Sequence, residues 1–229
     1  MTLDELFTKT DLQPKDRELF ERAFVHRSFL NESKQSGSES NERLEFLGDA
    51  VMELIVTEHL YLNYNEPEGV LTNWRAALVK GEMIAKVAES LGFNDLLQLS
   101  KGEQSGSGKA RSLILANSFE AFLGALYLDQ GYRVVDKFLH EHLISSLGEI
   151  LEQNLHIDPK SQLQELLQSQ LGLTPTYTVL SEEGPDHDKI FTVEVKAGSK
   201  RLATGEDRSK QKAEAAAARN ALTTQESKS

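Results

Sequence analysis

The sequence predicts a mainly α protein: an all-helical domain over residues 1–152, a linker at 153–158, and a small α+β domain of αβββα order over 159–226. Three observations predict it. Through residue 155 apolar side chains recur at helical spacing, with little of the alternation that marks a strand. At Leu155-His156-Ile157-Asp158-Pro159 that pattern breaks, because proline stops a preceding helix or opens a new one. Beyond Pro159 one short apolar helix is followed by three alternating runs and a last alanine-rich helix.

Taken in order, helical repeats run through Leu19-Phe20-Ala23-Phe24, Leu54-Ile55-Leu60, the set Leu78, Val79, Ile84, Val87, Ala88 and Leu91, and the long segment Leu113 to Leu128. Two segments read as loops: Asn31 to Ser40, rich in Ser, Glu and Lys, and Lys101 to Lys109, where Gly102, Gly106 and Gly108 break any helix. In the second domain Lys160 to Leu171 is a helix with Leu163, Leu166, Leu167 and Leu171 on its inner face. Strands are expected over Thr176 to Leu180, over Ile190 to Lys196 with Phe191, Val193 and Val195 alternating, and over Arg201 to Thr204. Ala197-Gly198-Ser199-Lys200 is the hairpin between the last two, and Ser209 to Leu222 is the closing helix.

With 229 residues and 39% hydrophobic content, the chain can build two modest cores. No apolar run approaches the ~20 residues that span a bilayer, and the first residues lack a secretion signal, so the expectation is a cytoplasmic protein without a membrane partner. There is no cysteine, which excludes disulfides and thiolate metal sites. Any metal must take oxygen or histidine ligands, and hard cations such as Mg²⁺ lead. The net charge of −11 at first argues against a nucleic-acid partner. Its distribution changes that: residues 1–155 carry 15 basic and 25 acidic side chains, residues 156–229 carry 10 and 11. An acidic domain can still approach a polyanion when divalent cations occupy its carboxylates.

The acids are grouped. In Asn41-Glu42-Arg43-Leu44-Glu45-Phe46-Leu47-Gly48-Asp49-Ala50, Glu42, Glu45 and Asp49 stand at i, i+3 and i+7 and project from one helical face. Such a face is often simply solvated. Here it opens a strongly apolar helix, and Gly48 costs about 1 kcal/mol against alanine in a helix, so a close approach is expected there. Far along the chain, Glu120 interrupts a helix that is apolar nearly all round, with Asn117 one turn earlier on the same face. A buried carboxylate needs a cation, a donor such as Arg43 or Arg75, or a gap in the packing.

The run Glu42 to Asp49 resembles the E-R-L-E-F-L-G-D signature of the ribonuclease III family, matching it completely. Ala23-Phe24-Val25-His26-Arg27-Ser28 resembles the family's early A-x-x-H-R-S segment, and Asn117 with Glu120 resembles its second acidic motif, with Asn117 where an Asp is usual. Residues 160–222 resemble a double-stranded RNA-binding domain, through Ser161-x-x-Gln164-Glu165, Gly184-Pro185-Asp186-His187, and Gly205 with Ser209-Lys210-Gln211-Lys212-Ala213-Glu214. Asp207 and Gln211 depart from that pattern, which commonly has Gly and a basic residue there.

The resemblance implies a homodimeric endoribonuclease that cuts double-stranded RNA with Mg²⁺, Mn²⁺ being able to replace it. Glu45, Asp49, Asn117 and Glu120 would hold or serve the metal, with Asp49, Glu120 and Glu45 catalytic and Glu42 supporting. It also implies 5′-phosphate and 3′-hydroxyl ends, two-nucleotide 3′ overhangs, and processing of ribosomal RNA precursors and structured messages. Ser161, Gln164, Glu165, His187, Ser209, Lys210 and Lys212 would meet the duplex across two minor grooves and the intervening phosphates. His26 is expected to be structural, and Glu68 to lie near the subunit junction. Asn117 leaves another class open, a double-stranded RNA-binding regulator with impaired or no cleavage. A small-molecule phosphohydrolase would have no use for residues 160–222.

Overall fold

The computed structural model describes residues 1–33, 39–152, 158–185 and 189–226. From the N-terminus these form α1 (Leu3–Lys9), α2 (Arg17–Ala23), α3 (Arg27–Ser33), α4 (Glu42–Asn63), α5 (Glu68–Leu78), α6 (Gly81–Leu91), α7 (Lys101–Gln104), α8 (Lys109–Gln130), α9 (Tyr132–His142) and α10 (Leu147–Glu152). There follow α11 (Pro159–Leu171), β1 (Pro175–Glu183), β2 (Ile190–Ala197), β3 (Lys200–Asp207) and α12 (Lys210–Glu226). The chain divides into two compact units, residues 1–156 and 157–229. The mainly α architecture with an αβββα second part is therefore the one expected. Residues 153–157, most of the expected linker, lie outside the described residues.

In the first unit α8 is the central element: it packs against α4, α6, α2 and α9. Its residues 114–116, 118, 119 and 121–126 are buried, which is why the segment reads as apolar nearly all round. The core is aromatic as well as aliphatic. Phe24 meets Phe93 edge-on at 4.9 Å between ring centroids, and Phe93 meets Phe122 at 5.3 Å, edge-to-face arrangements that suit the ring quadrupole.

The crossing of α4 and α8 is set by two glycines. A Cβ on Gly48 would lie 1.7 Å from the carbonyl oxygen of Glu120 and 2.7 Å from the nitrogen of Gly124, and one on Gly124 would lie 2.2 Å from the carbonyl oxygen of Leu44. The backbones touch here, so the close approach expected at Gly48 is present, and Gly124 is its counterpart.

Two expected loops are more structured than anticipated. Helix α3 runs to Ser33, and residues 34–38 lie outside the described residues. Between 101 and 109 the glycines do not prevent a helix: the Ser100 hydroxyl accepts from the Glu103 N–H at 3.3 Å and caps the single turn α7. An N-cap of this kind contributes about 1 kcal/mol, enough to offset one glycine.

The second unit is an antiparallel sheet of order β1-β2-β3 covered by α11 and α12. Leu163, Leu167, Val195, Ala197, Ala217, Ala218 and Ala221 form its core. Gly205, opposite Val193 in the register, lets α12 lie on β3: a Cβ there would sit 2.1 Å from the nitrogen of Ala217. All three strands outrun their expected limits, because a strand's polar ends carry the ladder without an apolar signal. The expected inner face of α11 is corrected too. Leu171 is 59% exposed and Leu166 only half-buried, since Gly172 ends the helix in a left-handed cap and leaves Leu171 on its last turn. The hairpin turns at Gly198-Ser199, with Gly198 at φ 59°.

Gly48→Ala is expected to lower the unfolding free energy by at least about 1–3 kcal/mol, the scale of an overpacked core. Gly69→Ala, where a Cβ meets nothing within 4 Å, is expected to be neutral. Urea denaturation of both variants measures the contrast.

Candidate active site

The start of α4 is held on both sides. The Asn41 side chain donates to the Ala23 carbonyl at 3.2 Å, and its own N–H donates to the Val25 carbonyl at 2.9 Å. Glu42 next to it accepts from the Ser40 hydroxyl at 2.9 Å and lies 3.4 Å from an Arg27 nitrogen. One turn on, Glu45 is half-buried, and Asp49 is exposed.

The glycine crossing sets the α8 turn that carries Glu120 against the α4 turns that carry Glu45 and Asp49. Their electrostatics record the proximity. Burial, then the neighbouring charges of Asp49 and Glu45, push the Glu120 carboxyl up to about 7. Glu45 is raised by burial, then by Glu42 and Asp49, while hydrogen bonding from Asn117 acts the other way. Glu45, Asp49 and Glu120 are thus close enough to act on one another, Asn117 hydrogen-bonds Glu45, and Glu42 acts on Glu45 from the edge. Neither arginine considered as a partner for Glu120 serves it: Arg43 is 88% exposed beside Glu39, and Arg75 donates to Thr57 at 3.0 Å.

Three carboxylates and an amide oxygen are donors suited to a hard cation. Among the described residues no three His, Cys, Asp or Glu side chains meet as they stand in a geometry that could hold an ion. The donor chemistry fits a cation such as Mg²⁺, and closing on it would draw together carboxylates that otherwise repel one another.

His26 is in a structural position. Its Nδ1 accepts from the Ser28 N–H at 3.3 Å and lies 2.8 Å from the Ser28 hydroxyl. That hydroxyl accepts from the Ser100 N–H at 3.1 Å, tying α3 to the start of α7. Burial holds the imidazole below its ordinary range. Glu68, at the start of α5, accepts from the Thr72 hydroxyl at 3.0 Å. Sequence reasoning missed Gly124 and the Arg27–Glu42–Ser40 support. Gly124 had a signal, a second small residue on an all-apolar helix, whereas the Arg27 pair joins two elements and had none.

In the second unit Ser161, Gln164 and Glu165 lie exposed on α11, and Lys210 and Lys212 on the first turn of α12. Ser161 is already engaged: its N–H and hydroxyl both donate to Asp158, at 3.2 and 2.7 Å. Ser209 accepts from the Lys212 N–H at 3.3 Å and caps α12. Asp207, where a glycine is usual, accepts from the Ser209 N–H at 3.3 Å and so shapes the turn. Unforeseen from sequence, Lys160 joins the two helices, 2.6 Å from the Glu214 carboxylate and 4.8 Å above the Tyr177 ring. His187 and Asp186 lie outside the described residues.

In metal-free protein, Glu120 should make stability fall with rising pH. Its folded form keeps a proton that the unfolded chain releases near 4.5, so the protonated state's stability is present below 4.5 and lost as pH rises through about 7. Glu120→Gln should match the parent at acid pH and exceed it above pH 7, which denaturant titrations across that range measure.

Both units match known protein families. Residues 16–147 match the family model Ribonuclease-III-like, and residues 159–224 match the double-stranded RNA binding motif. Ribonuclease 3 of Streptococcus thermophilus is 44% identical over 207 residues, covering 90% of each chain. Ribonuclease 3 of Streptococcus pneumoniae strain G54 is 43% identical over 213 residues, 93% of this chain and 91% of its own. The solved nuclease domain of ribonuclease III from Campylobacter jejuni, described for flexibility in a region involved in dimer formation, superposes with a TM-score of 0.56 at 35% identity, covering 61% of this chain and 94% of that one. Among the described residues no helix is long and apolar enough to cross a membrane. With the acidic cluster at a glycine crossing and matches over both units, the chain belongs to the ribonuclease III family and is an endoribonuclease with a double-stranded RNA-binding motif.

Proposed function

We propose that the chain hydrolyses phosphodiester bonds of double-stranded RNA with Mg²⁺ held by Glu45, Asp49, Asn117 and Glu120, and that Mn²⁺ can replace it. The observation that carries this reading is the backbone contact of α4 and α8, where a Cβ on Gly48 would lie 1.7 Å from the Glu120 carbonyl oxygen, so that Glu120 stands beside the turns of Glu45 and Asp49. When bound, the ion supplies a water acidic enough to give hydroxide near neutral pH, and charge that relieves the phosphate and the leaving oxygen.

The protein's own groups divide the remaining work. Glu45 and Glu120 provide most of the ligand charge. Asn117 offers an amide oxygen to the ion while its amide hydrogens face Glu45, which fixes that carboxylate's orientation at the cost of one negative charge. Asp49, the most open of the four, shares the ion or positions a water, and Glu42, steadied by Arg27 and Ser40, supports Glu45 from the next turn. The products on this reading carry 5′-phosphates and 3′-hydroxyls.

Two copies would pair through the first domain. Phe46 is 82% exposed, Tyr61 76%, Leu62 71% and Leu113 62%, all on α4 and α8, and large apolar side chains left open on two adjoining helices favour a protein partner. Paired sites would cut opposite strands and leave two-nucleotide 3′ overhangs, with Glu68 near the junction. Domain limits of 1–152 and 159–226 around a linker at 153–158 belong to the same reading. Gln164, Glu165 and Ser161 would face 2′-hydroxyls in one minor groove and His187 those in the next, while Lys210, Lys212 and the helix start at Ser209 would take phosphates between them. Ribosomal RNA precursors and structured messages are the proposed substrates.

Purified protein incubated with a long RNA duplex should give short products with Mg²⁺ and none with chelator; binding without cutting at every Mg²⁺ level would instead favour the regulator that Asn117 suggests. Asn117→Asp should lower the Mg²⁺ concentration needed for half-maximal rate, and Glu120→Gln should bind duplex normally without cutting. Separately, Lys210→Gln or Lys212→Gln should weaken duplex binding and reduce the log–log salt slope by about 1 each, measured by filter binding across a salt series.

A further inference from the structure

We propose that His59 and His140 form a second metal site, for a divalent first-row transition ion such as Zn²⁺, on the seam between α4 and α9. The Nδ1 of His59 faces the Nε2 of His140 at 2.9 Å, and the rings meet edge-on, 4.8 Å between centroids at 74°. The two ring nitrogens face each other across the seam, the His59 Nδ1 also lies 3.4 Å from the Asn63 amide nitrogen, and the rings do not stack.

The other nitrogen of His140 decides what that point can be. Its Nδ1 lies 2.9 Å from the Asp136 carbonyl oxygen and 3.2 Å from the Asp136 carboxylate, both acceptors, so it carries the proton. Neutral His140 therefore presents a lone pair on Nε2 toward His59. A carboxylate behind a histidine, fixing its tautomer and strengthening its outer nitrogen as a donor, is the outer shell of many metal-bound imidazoles. On the facing helix His59 is steadied through the next turn, where Asn63 donates to its carbonyl at 2.8 Å. One turn before Asp136, Tyr132 donates to Glu58, so the same seam is pinned a second time.

Two Zn–N bonds of about 2.05 Å at a tetrahedral angle need nitrogens about 3.3 Å apart. Opening from 2.9 Å takes only small rotations of two partly exposed rings. On binding, the His59 proton moves from Nδ1 to Nε2, the His59 Nδ1 and His140 Nε2 lone pairs bond the ion, and no group leaves. Among the described residues no third His, Cys, Asp or Glu completes the set, so water fills the remaining positions. Imidazole donors favour Zn²⁺, Ni²⁺ or Cu²⁺ over Mg²⁺, which separates this site in chemistry from the acidic cluster. It is separate in space as well: the ten steps along α4 from Asp49 to His59 span about 15 Å. An ion here would staple α9 to α4.

Calorimetric titration of ZnCl₂ into the full-length, metal-free chain with excess Mg²⁺ present tests this. One Zn²⁺ per chain is expected, with a raised melting temperature. His59→Gln and His140→Gln should abolish both effects, and Asp136→Asn should weaken binding by about tenfold or more. Equal Zn²⁺ binding by the double variant His59→Gln/His140→Gln, or none by the parent, overturns the proposal. Should the variants not fold, imidazole nitrogen spectra of the parent decide: Zn²⁺ must shift the His59 and His140 signals, and unchanged signals overturn it.

Discussion

Contact between two helix backbones at Gly48 and Gly124 is the constraint on which the first unit depends. Packed helices ordinarily stand 8–10 Å apart at their axes, kept there by side chains; here a single methyl on either glycine would overlap the other helix. The gain is twofold. Residues 121–126 of α8 are sealed into the aromatic core, and acids from positions 45, 49 and 120 come close enough to perturb one another. The fold thus stores like-charge repulsion at the point where its packing is tightest, and a cation is the natural relief.

Much of this was legible in the chain. Glu42, Glu45 and Asp49 announce themselves by spacing, and Glu120 by being the wrong residue type for its helix. Gly48 signalled a close approach without naming what approaches. Gly124 could be seen as a small residue on an apolar helix but not as its counterpart, because the pairing of two positions 76 residues apart is a property of the crossing, not of either helix. The same holds for Arg27 beside Glu42 and for His59 against His140. Local rules failed where a competing local rule was stronger: the Ser100 cap outweighs Gly102 in α7, and the left-handed turn at Gly172 releases Leu171 before the helix can bury it.

The second unit repeats the theme on a smaller scale. Gly205 and the alanines of α12 replace interdigitated side chains with near contact of backbone, which explains an alanine-rich helix that is otherwise poor in apolar bulk. Asp207 shows how a departure from a family pattern is absorbed: its carboxylate accepts the Ser209 N–H, so a charge unfavourable to phosphate is partly spent on shaping the turn that opens α12. Lys160 holds α11 to α12 at Glu214 and keeps the two candidate duplex-facing surfaces in register.

That lysine tie also bears on how the protein emerges from the ribosome. The central crossing of the first unit, α4 on α8, is available once residue 130 has been made. Helix α11 is in the opposite position: Leu163 and Leu167 share a core with Val195 and Ala197 of β2 and with Ala217, Ala218 and Ala221 of α12, and Lys160 pairs with Glu214, 54 residues later. The first unit can therefore begin to fold while the second is still being made, whereas the core of the second unit is incomplete until α12 is present.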